Sequence, residues 1–157
     1  MSDNKNLTPE KLAEFVLEFF QHNMPFNKAL GFQIETLEEH EVQIRMPWND
    51  SLMGNPVHKI LHGGATAAIL DTVGSIVALM YGIKQLKSDE VDAFKDTLAN
   101  NGTIDMRVDY LRPGKGQEFI ATASVIRRGR KVAVCRMELH NEDGQHIASG
   151  TGTYLVG

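Results

Sequence analysis

The sequence predicts an α+β domain in which one long helix lies against a curved antiparallel sheet. The run from Gly63 to about Ile83 is apolar, rich in alanine and too long for a strand, so it reads as a single buried helix. The C-terminal third changes to a period of two, beginning with Ile104, Met106, Val108 and Tyr110. Arg128-Gly129-Arg130 and Asn141-Glu142-Asp143-Gly144 then punctuate the following runs as hairpin turns. A length of 157 residues suits one domain, expected over residues 9–157 behind a disordered tail at residues 1–8.

Each element has its own signal. Thr8 is placed to cap a helix that begins with Pro9 at its first position. Leu12, Phe15, Val16, Phe19 and Phe20 recur at helical spacing on it, away from Glu10, Glu14 and Glu18. That stripe packs on the body of the domain or serves as a flap over an apolar ligand channel. Pro25 ends the helix, and Phe26–Leu30 forms a short turn before Gly31. Phe32–Leu37 and Glu41–Met46 read as strands, the second alternating as Val42, Ile44, Met46. Pro47–Leu61 reads as loop, and a helix capped by Ser88 is expected over Ser88–Leu98. Thr103–Leu111, Gln117–Ile126, Lys131–His140 and Gln145–Val156 are the remaining strands, expected as a four-stranded meander.

Composition narrows the function. A net charge of −4 weighs against general nucleic-acid binding. One cysteine excludes an intrachain disulfide framework and suits a reducing compartment. The opening MSDNKNLTPEKLAEF carries charges where a signal peptide needs an apolar run, and Asp71 interrupts the best candidate for a membrane span. The expectation is a soluble, cytoplasmic protein. With aromatics at only 7%, its 14 glycines and 7 methionines must shape much of the interior.

The sharpest chemical feature is His62-Gly63-Gly64-Ala65-Thr66-Ala67-Ala68-Ile69-Leu70-Asp71. Two glycines at a helix start cost about 1 kcal/mol each relative to alanine if helical. They make sense where a ligand approaches bare backbone N–H groups at the positive end of the helix dipole, or where the loop-to-helix junction packs tightly. Asp71 is an acid in an otherwise uncharged run, with Ala67, Ala68, Gly74, Ser75 and Ala78 three, four and seven residues away. That stripe leaves room for another chain, a substrate or water. A buried carboxylate is costly unless bonded, and desolvation moves it towards general-base values. A catalytic base or nucleophile and a structural, hydrogen-bonded Asp are the two readings. His62 is either a base or, preferably, a brace for the loop.

Other chemistries find little support. His58 and His62 have metal-ligand spacing only on a helix that Pro56 and the glycines argue against, so no metal site is expected. There is no G-x-S-x-G elbow, phosphate-cradling glycine loop or dinucleotide fingerprint. Cys135 falls in step with Ala133, Met137 and Leu139 and reads as a core thiol. Between residues 112 and 136, seven basic side chains stand against the single acid Glu118. This stretch suits a phosphorylated ligand or a charged, aggregation-resistant hairpin edge.

The run LHGGATAAILD resembles the signature of hotdog-fold acyl-CoA thioesterases of the PaaI-like type. The resemblance extends through HMPFNKALG, GTIDMRVDYLRPG, GRKVAVCRMELHNEDG and IASGTGTYLVG, covering roughly residues 22–157, and comes closest to a bacterial medium- and long-chain acyl-CoA branch, the YigI type. It implies a hotdog fold, an antiparallel sheet wrapped around the central helix, with active sites at a homodimer interface and no cofactor beyond the coenzyme A of the substrate. By resemblance, Gly64 N–H would meet the thioester oxygen, His62 would support that loop, and Asn55 would bind the carbonyl side. Asp71 of the opposite subunit would activate water or attack directly, and Thr103 would hold the water. Alternation parity sets Thr103 off the Ile104/Met106 face. Arg112, Arg127, Arg128, Arg130 and Lys131 would meet the phosphates of coenzyme A. Asn55 stands seven residues before His62, where relatives commonly have six, a place held here by Pro56. The segment before Thr103 is longer than in small members. The implied activity is acyl-CoA hydrolysis in lipid metabolism, by a dimer or tetramer. The alternatives are a non-hydrolytic acyl-CoA sensor and a hotdog hydratase or dehydratase.

Overall fold

The computed structural model describes residues 7–37 and 41–157. Residues 1–6 of the expected tail lie outside them. Thr8 instead begins the ordered architecture, accepting a hydrogen bond from Lys11 N–H at 3.4 Å as the cap of α1 (Pro9–Glu18). The expected apolar stripe splits in two. Leu12, Val16 and Phe20 are buried against the body, whereas Phe15 and Phe19 remain 51% and 44% exposed. A π-turn at Phe19–Asn23 carries the chain to α2 (Pro25–Leu30), which stops at Gly31 in the left-handed region with φ 71°.

The two expected strands form as β1 (Gln33–Thr36) and β2 (Val42–Pro47), and they pair antiparallel. The segment expected as plain loop contains a 3-10 turn at Asp50–Leu52 and a small hairpin of β3 (Met53–Asn55) and β4 (Ile60–Leu61). Its backbone bonds are too local for side-chain periodicity to signal. Helix α3 runs over Gly63–Ile83 as expected. By length and composition alone it could cross a bilayer, but 67% of its most apolar window is buried inside this protein. Helix α4 covers only Val91–Thr97, and Ser88 does not cap it. Residues 87–90 form a turn instead, in which the Glu90 carboxylate accepts from Lys87 N–H at 2.9 Å.

Four long strands follow: β5 (Gly102–Tyr110), β6 (Glu118–Arg128), β7 (Val132–Asn141) and β8 (His146–Leu155). The two expected hairpin turns join β6 to β7 and β7 to β8. The four-stranded meander is incorrect in one respect, because the sheet order is β1-β2-β6-β7-β8-β5 and β5 pairs with β8 rather than β6. The connection through residues 111–117 crosses one end of the sheet. It is held there by Leu111 N–H and Arg112 N–H on Ile147 O, and by Gln117 N–H on the Glu142 carboxylate at 2.7 Å. A stretch rich in Pro and Gly gives no signal of which strand it returns to.

The sheet closes around α3, giving the hotdog architecture with an additional N-terminal helix. Ile69, Leu70, Val73 and Ile76 of the helix are fully buried, as are Ala133, Cys135, Met137 and Leu139 of β7. Gly74 of α3 and Gly152 of β8 make room for one large side chain. A Cβ on either would lie 2.2 or 2.6 Å from the Tyr154 hydroxyl, so the fully buried Tyr154 fills the slot between helix and sheet. The small-residue stripe read from the sequence as room for a substrate or another chain is therefore occupied, at Gly74, by a side chain of the same molecule. Replacing Gly74 by Ala overpacks this slot and is expected to lower stability by about 1–3 kcal/mol; urea unfolding monitored by circular dichroism measures it.

Candidate active site

The loop before α3 is shaped around His62. Its N–H donates to Leu52 O at 2.8 Å and its carbonyl accepts from Thr66 N–H at 3.1 Å. Gly54 lies so close that a Cβ there would meet His62 Cα at 2.7 Å. The ring folds back as well, and its Nδ1 accepts the Gly64 N–H at 2.8 Å. In the neutral ring this bond assigns the proton to Nε2. His62 is thus the cap of α3 and braces the glycine loop. Gly63 is pinned from the other side, its carbonyl accepting from the Tyr110 hydroxyl at 2.9 Å.

Asp71 lies two turns along the same helix, partly buried. Seven residues at 1.5 Å separate it from Gly64 by about 10 Å along the axis. The two groups therefore do not meet within one chain. What Asp71 does meet is Thr103, whose hydroxyl donates to Asp71 Oδ1 at 2.7 Å. Sequence parity placed Thr103 off the Met106 face, and the structure corrects this. A bulge in β5 takes the register from Thr103 opposite Tyr154 to Asp105 opposite Thr153. Ile104 is the extra residue and turns outward, 57% exposed. The bulge re-aims Thr103 onto the helix-facing side.

Tyr154 is the neighbour of Asp71 and Thr103 that sequence reasoning missed. It is the cross-strand partner of Thr103, so the two side chains share a face. Its hydroxyl lies 3.9 Å from Met137 Sδ, a weak acceptor. Burial drives the phenol far above its usual range, and the charge of the nearby Asp71 carboxylate drives it further. Gly74 and Gly152 were the available signal, since a void of that depth implies a large side chain reaching in.

The remaining expected site residues are dispersed. Asn55 spends its side chain on its own loop, Oδ1 accepting from Val57 N–H at 3.0 Å and His58 N–H at 3.3 Å. Arg112 borders a cleft of about 320 Å³ beside Gly63 and Tyr110, and donates to His146 O at 3.0 Å. Arg127, Arg128, Arg130 and Lys131 lie at the opposite end of β6, about 30 Å away at strand rise. The basic stretch is thus two clusters. Arg128 is committed elsewhere: it donates to Ala78 O at 2.7 Å, lies over the Phe94 ring and has its pKa lowered by burial. Glu138, His140 and His146 come close enough to hold a metal ion. The two imidazoles stack face to face with 4.6 Å between ring centroids.

Residues 58–148 match the thioesterase superfamily model. The chain belongs to the thioesterase superfamily. It is 44% identical to the medium/long-chain acyl-CoA thioesterase YigI of Escherichia coli over 96% of this chain and 97% of that protein. A crystal structure from Shewanella oneidensis, described as related to the thioesterase superfamily, superposes with a TM-score of 0.88 at 45% identity, covering 95% of this chain and 97% of that one. The PaaI protein of the E. coli phenylacetic acid degradation operon shares the fold, at a TM-score of 0.71 and 21% identity over 92% of each chain.

Cys135 is a core residue, as its strand pattern indicates: it is fully buried, and burial raises its thiol to about 11 against the opposing pull of Arg128. Native protein at pH 8 is expected to leave Ellman's reagent unreacted over minutes, while protein unfolded in guanidinium releases one equivalent of thiol.

Proposed function

We propose that this protein hydrolyses the thioester of medium- to long-chain acyl-CoA, giving a fatty acid and free coenzyme A. The observation that carries the reading is the Asp71 carboxylate, set in an apolar helix and held by the Thr103 hydroxyl. Superfamily membership and the likeness to YigI over nearly the whole chain support it.

Two copies of the chain supply the geometry that one lacks. Asp71 is about 10 Å along the helix from its own Gly64, so the reaction uses the glycine loop of one copy and the Asp71 of a second. The first-turn amides of α3 have no intrahelical partner and polarise the thioester carbonyl. Gly64 N–H joins them by sharing or exchanging its bond to His62 Nδ1. Thr103 occupies Asp71 Oδ1, leaving Oδ2 to accept a proton from water. This favours water activation over direct attack. The activated water adds to the carbonyl carbon, the C–S bond breaks, and the departing thiolate takes back the proton from Asp71. The chemistry is assigned to these side chains alone, without a metal or redox cofactor.

Pairing also gives the two basic clusters a common role. The active site would combine the Arg112 end of one copy with the Arg127, Arg130 and Lys131 end of the other, and both would face the phosphates of coenzyme A. A reducing, cytoplasmic setting accords with the single, unpaired Cys135.

Asp71→Asn is expected to lower kcat on an acyl-CoA by at least about 100-fold, the scale of losing an acid–base group, with unchanged circular dichroism and sedimentation. Near-normal turnover in that variant would overturn the assignment. Gly64→Pro, which removes the amide hydrogen and crowds the His62 ring that a Cβ there would approach to 2.9 Å, is expected to be nearly inactive as well. Mixed refolding of the two inactive variants then restores activity, because half of the mixed sites receive both intact elements. Mixtures that stay inactive would place the site within one chain.

A further inference from the structure

We propose that the apolar groove between the N-terminal helices and α3 seats the acyl chain, with Phe15 and Phe19 as the wall that sets chain-length preference. The proposal rests on the thioesterase reading and extends it to specificity. The groove has a volume of about 440 Å³ and is lined by Phe15, Phe19, Met24, Leu79, Leu98 and Ala99 among others. Phe15 and Phe19 stack at 6.4 Å between ring centroids, yet stay about half exposed on a helix whose Leu12, Val16 and Phe20 are buried. Two large aromatics kept out of the core and turned to a concave apolar surface match a chain of methylenes.

Position selects this occupant. Asp71, Ser75 and Leu79 stand at i, i+4 and i+8 on α3 and share one face. Leu79 lines the groove and sits two turns, about 12 Å, beyond the carboxylate. The polar groups between them are closed off, the Ser75 hydroxyl donating to Asn101 Oδ1 at 3.0 Å and Asn101 Nδ2 donating to Leu155 O at 3.2 Å. The Ser75 hydroxyl and one Asn101 N–H are thus already engaged along the line from the thioester to Leu79. Asn101 also borders the groove, and among the described residues that line the groove it contributes the only polar side chain. A butanoyl tail ends before Leu79, whereas a dodecanoyl tail reaches it. Leu98 and Ala99 come from the long segment that separates α3 from β5, which gives that segment a role in substrate choice.

The test is the ratio of kcat/KM for dodecanoyl-CoA to that for butanoyl-CoA. It is measured for wild type, for a Phe15→Ala/Phe19→Ala double variant, which strips the wall, and for Ala99→Trp, which fills the groove. Each variant is expected to lower the ratio by at least about tenfold, the effect of denying burial to two or more methylenes. Smaller changes in both overturn the proposal, including the case in which Ala99→Trp alters only the oligomeric state because a second copy covers the groove. Calorimetric titration of S-dodecyl- and S-butyl-coenzyme A, neither of which can be hydrolysed, decides the groove separately. The dodecyl thioether is expected to lose at least about tenfold more affinity than the butyl one in Ala99→Trp. Absence of hydrolysis of either thioester by wild type would defeat the thioesterase reading and leave the titration to judge the groove. Equal affinity losses for the two thioethers would defeat the groove alone.

Discussion

The carboxylate of Asp71 is the constraint around which the rest of the molecule is arranged. It sits in the middle of α3, whose flanking residues Leu70, Val73 and Ile76 are fully buried. A carboxylate in such surroundings needs hydrogen-bond donors. The sheet supplies one, the Thr103 hydroxyl on β5, and sets its cross-strand partner Tyr154 on β8 beside it. Both are delivered by backbone features, not by flexible side chains. The bulge at Ile104 turns Thr103 towards the helix, and Gly74 and Gly152 open the slot that the tyrosine ring occupies. Helix, sheet register and carboxylate are therefore one mechanical unit, and a shift in any of them changes what Asp71 can do.

A second unit forms at the other end of the sheet. The hairpin of β3 and β4, the crossing segment 111–117 and the start of α3 converge on His62 and Gly63. Leu61 N–H donates to Gly114 O at 2.8 Å, and Tyr110 ties β5 to Gly63. This unit presents backbone donors, and the first presents an acid. They are separated by two helical turns of one rigid element, so no side-chain motion within a chain brings them together. That separation is why the proposed reaction draws its two elements from two copies of the chain.

Basic side chains in one short stretch of sequence illustrate how sheet geometry redistributes charge. Arg112 and Arg127 are near neighbours along the chain, but an eleven-residue strand carries them to opposite ends of the sheet. Arg128 points back into the protein, where Ala78 O and the face of Phe94 hold it. Gly82 leaves space for its guanidinium, since a Cβ there would come within 2.4 Å of it. One arginine of the cluster thus fastens α3 and α4 to the sheet.

The sequence by itself determined the long elements and their order. Hydrophobic period, proline and glycine punctuation, and the single acid in an apolar run are local properties, and they located α1, α3, the long strands, His62, Gly64 and Asp71. Tertiary structure decided which strands are neighbours, which way Thr103 faces, and what fills the stripe of small residues beside Asp71. Those outcomes depend on pairing between segments far apart in the chain: β5 with β8, Tyr154 with Gly74, Arg128 with Ala78. A one-residue bulge reverses every parity argument upstream of it, and a glycine records only that space is needed, not which side chain will take it.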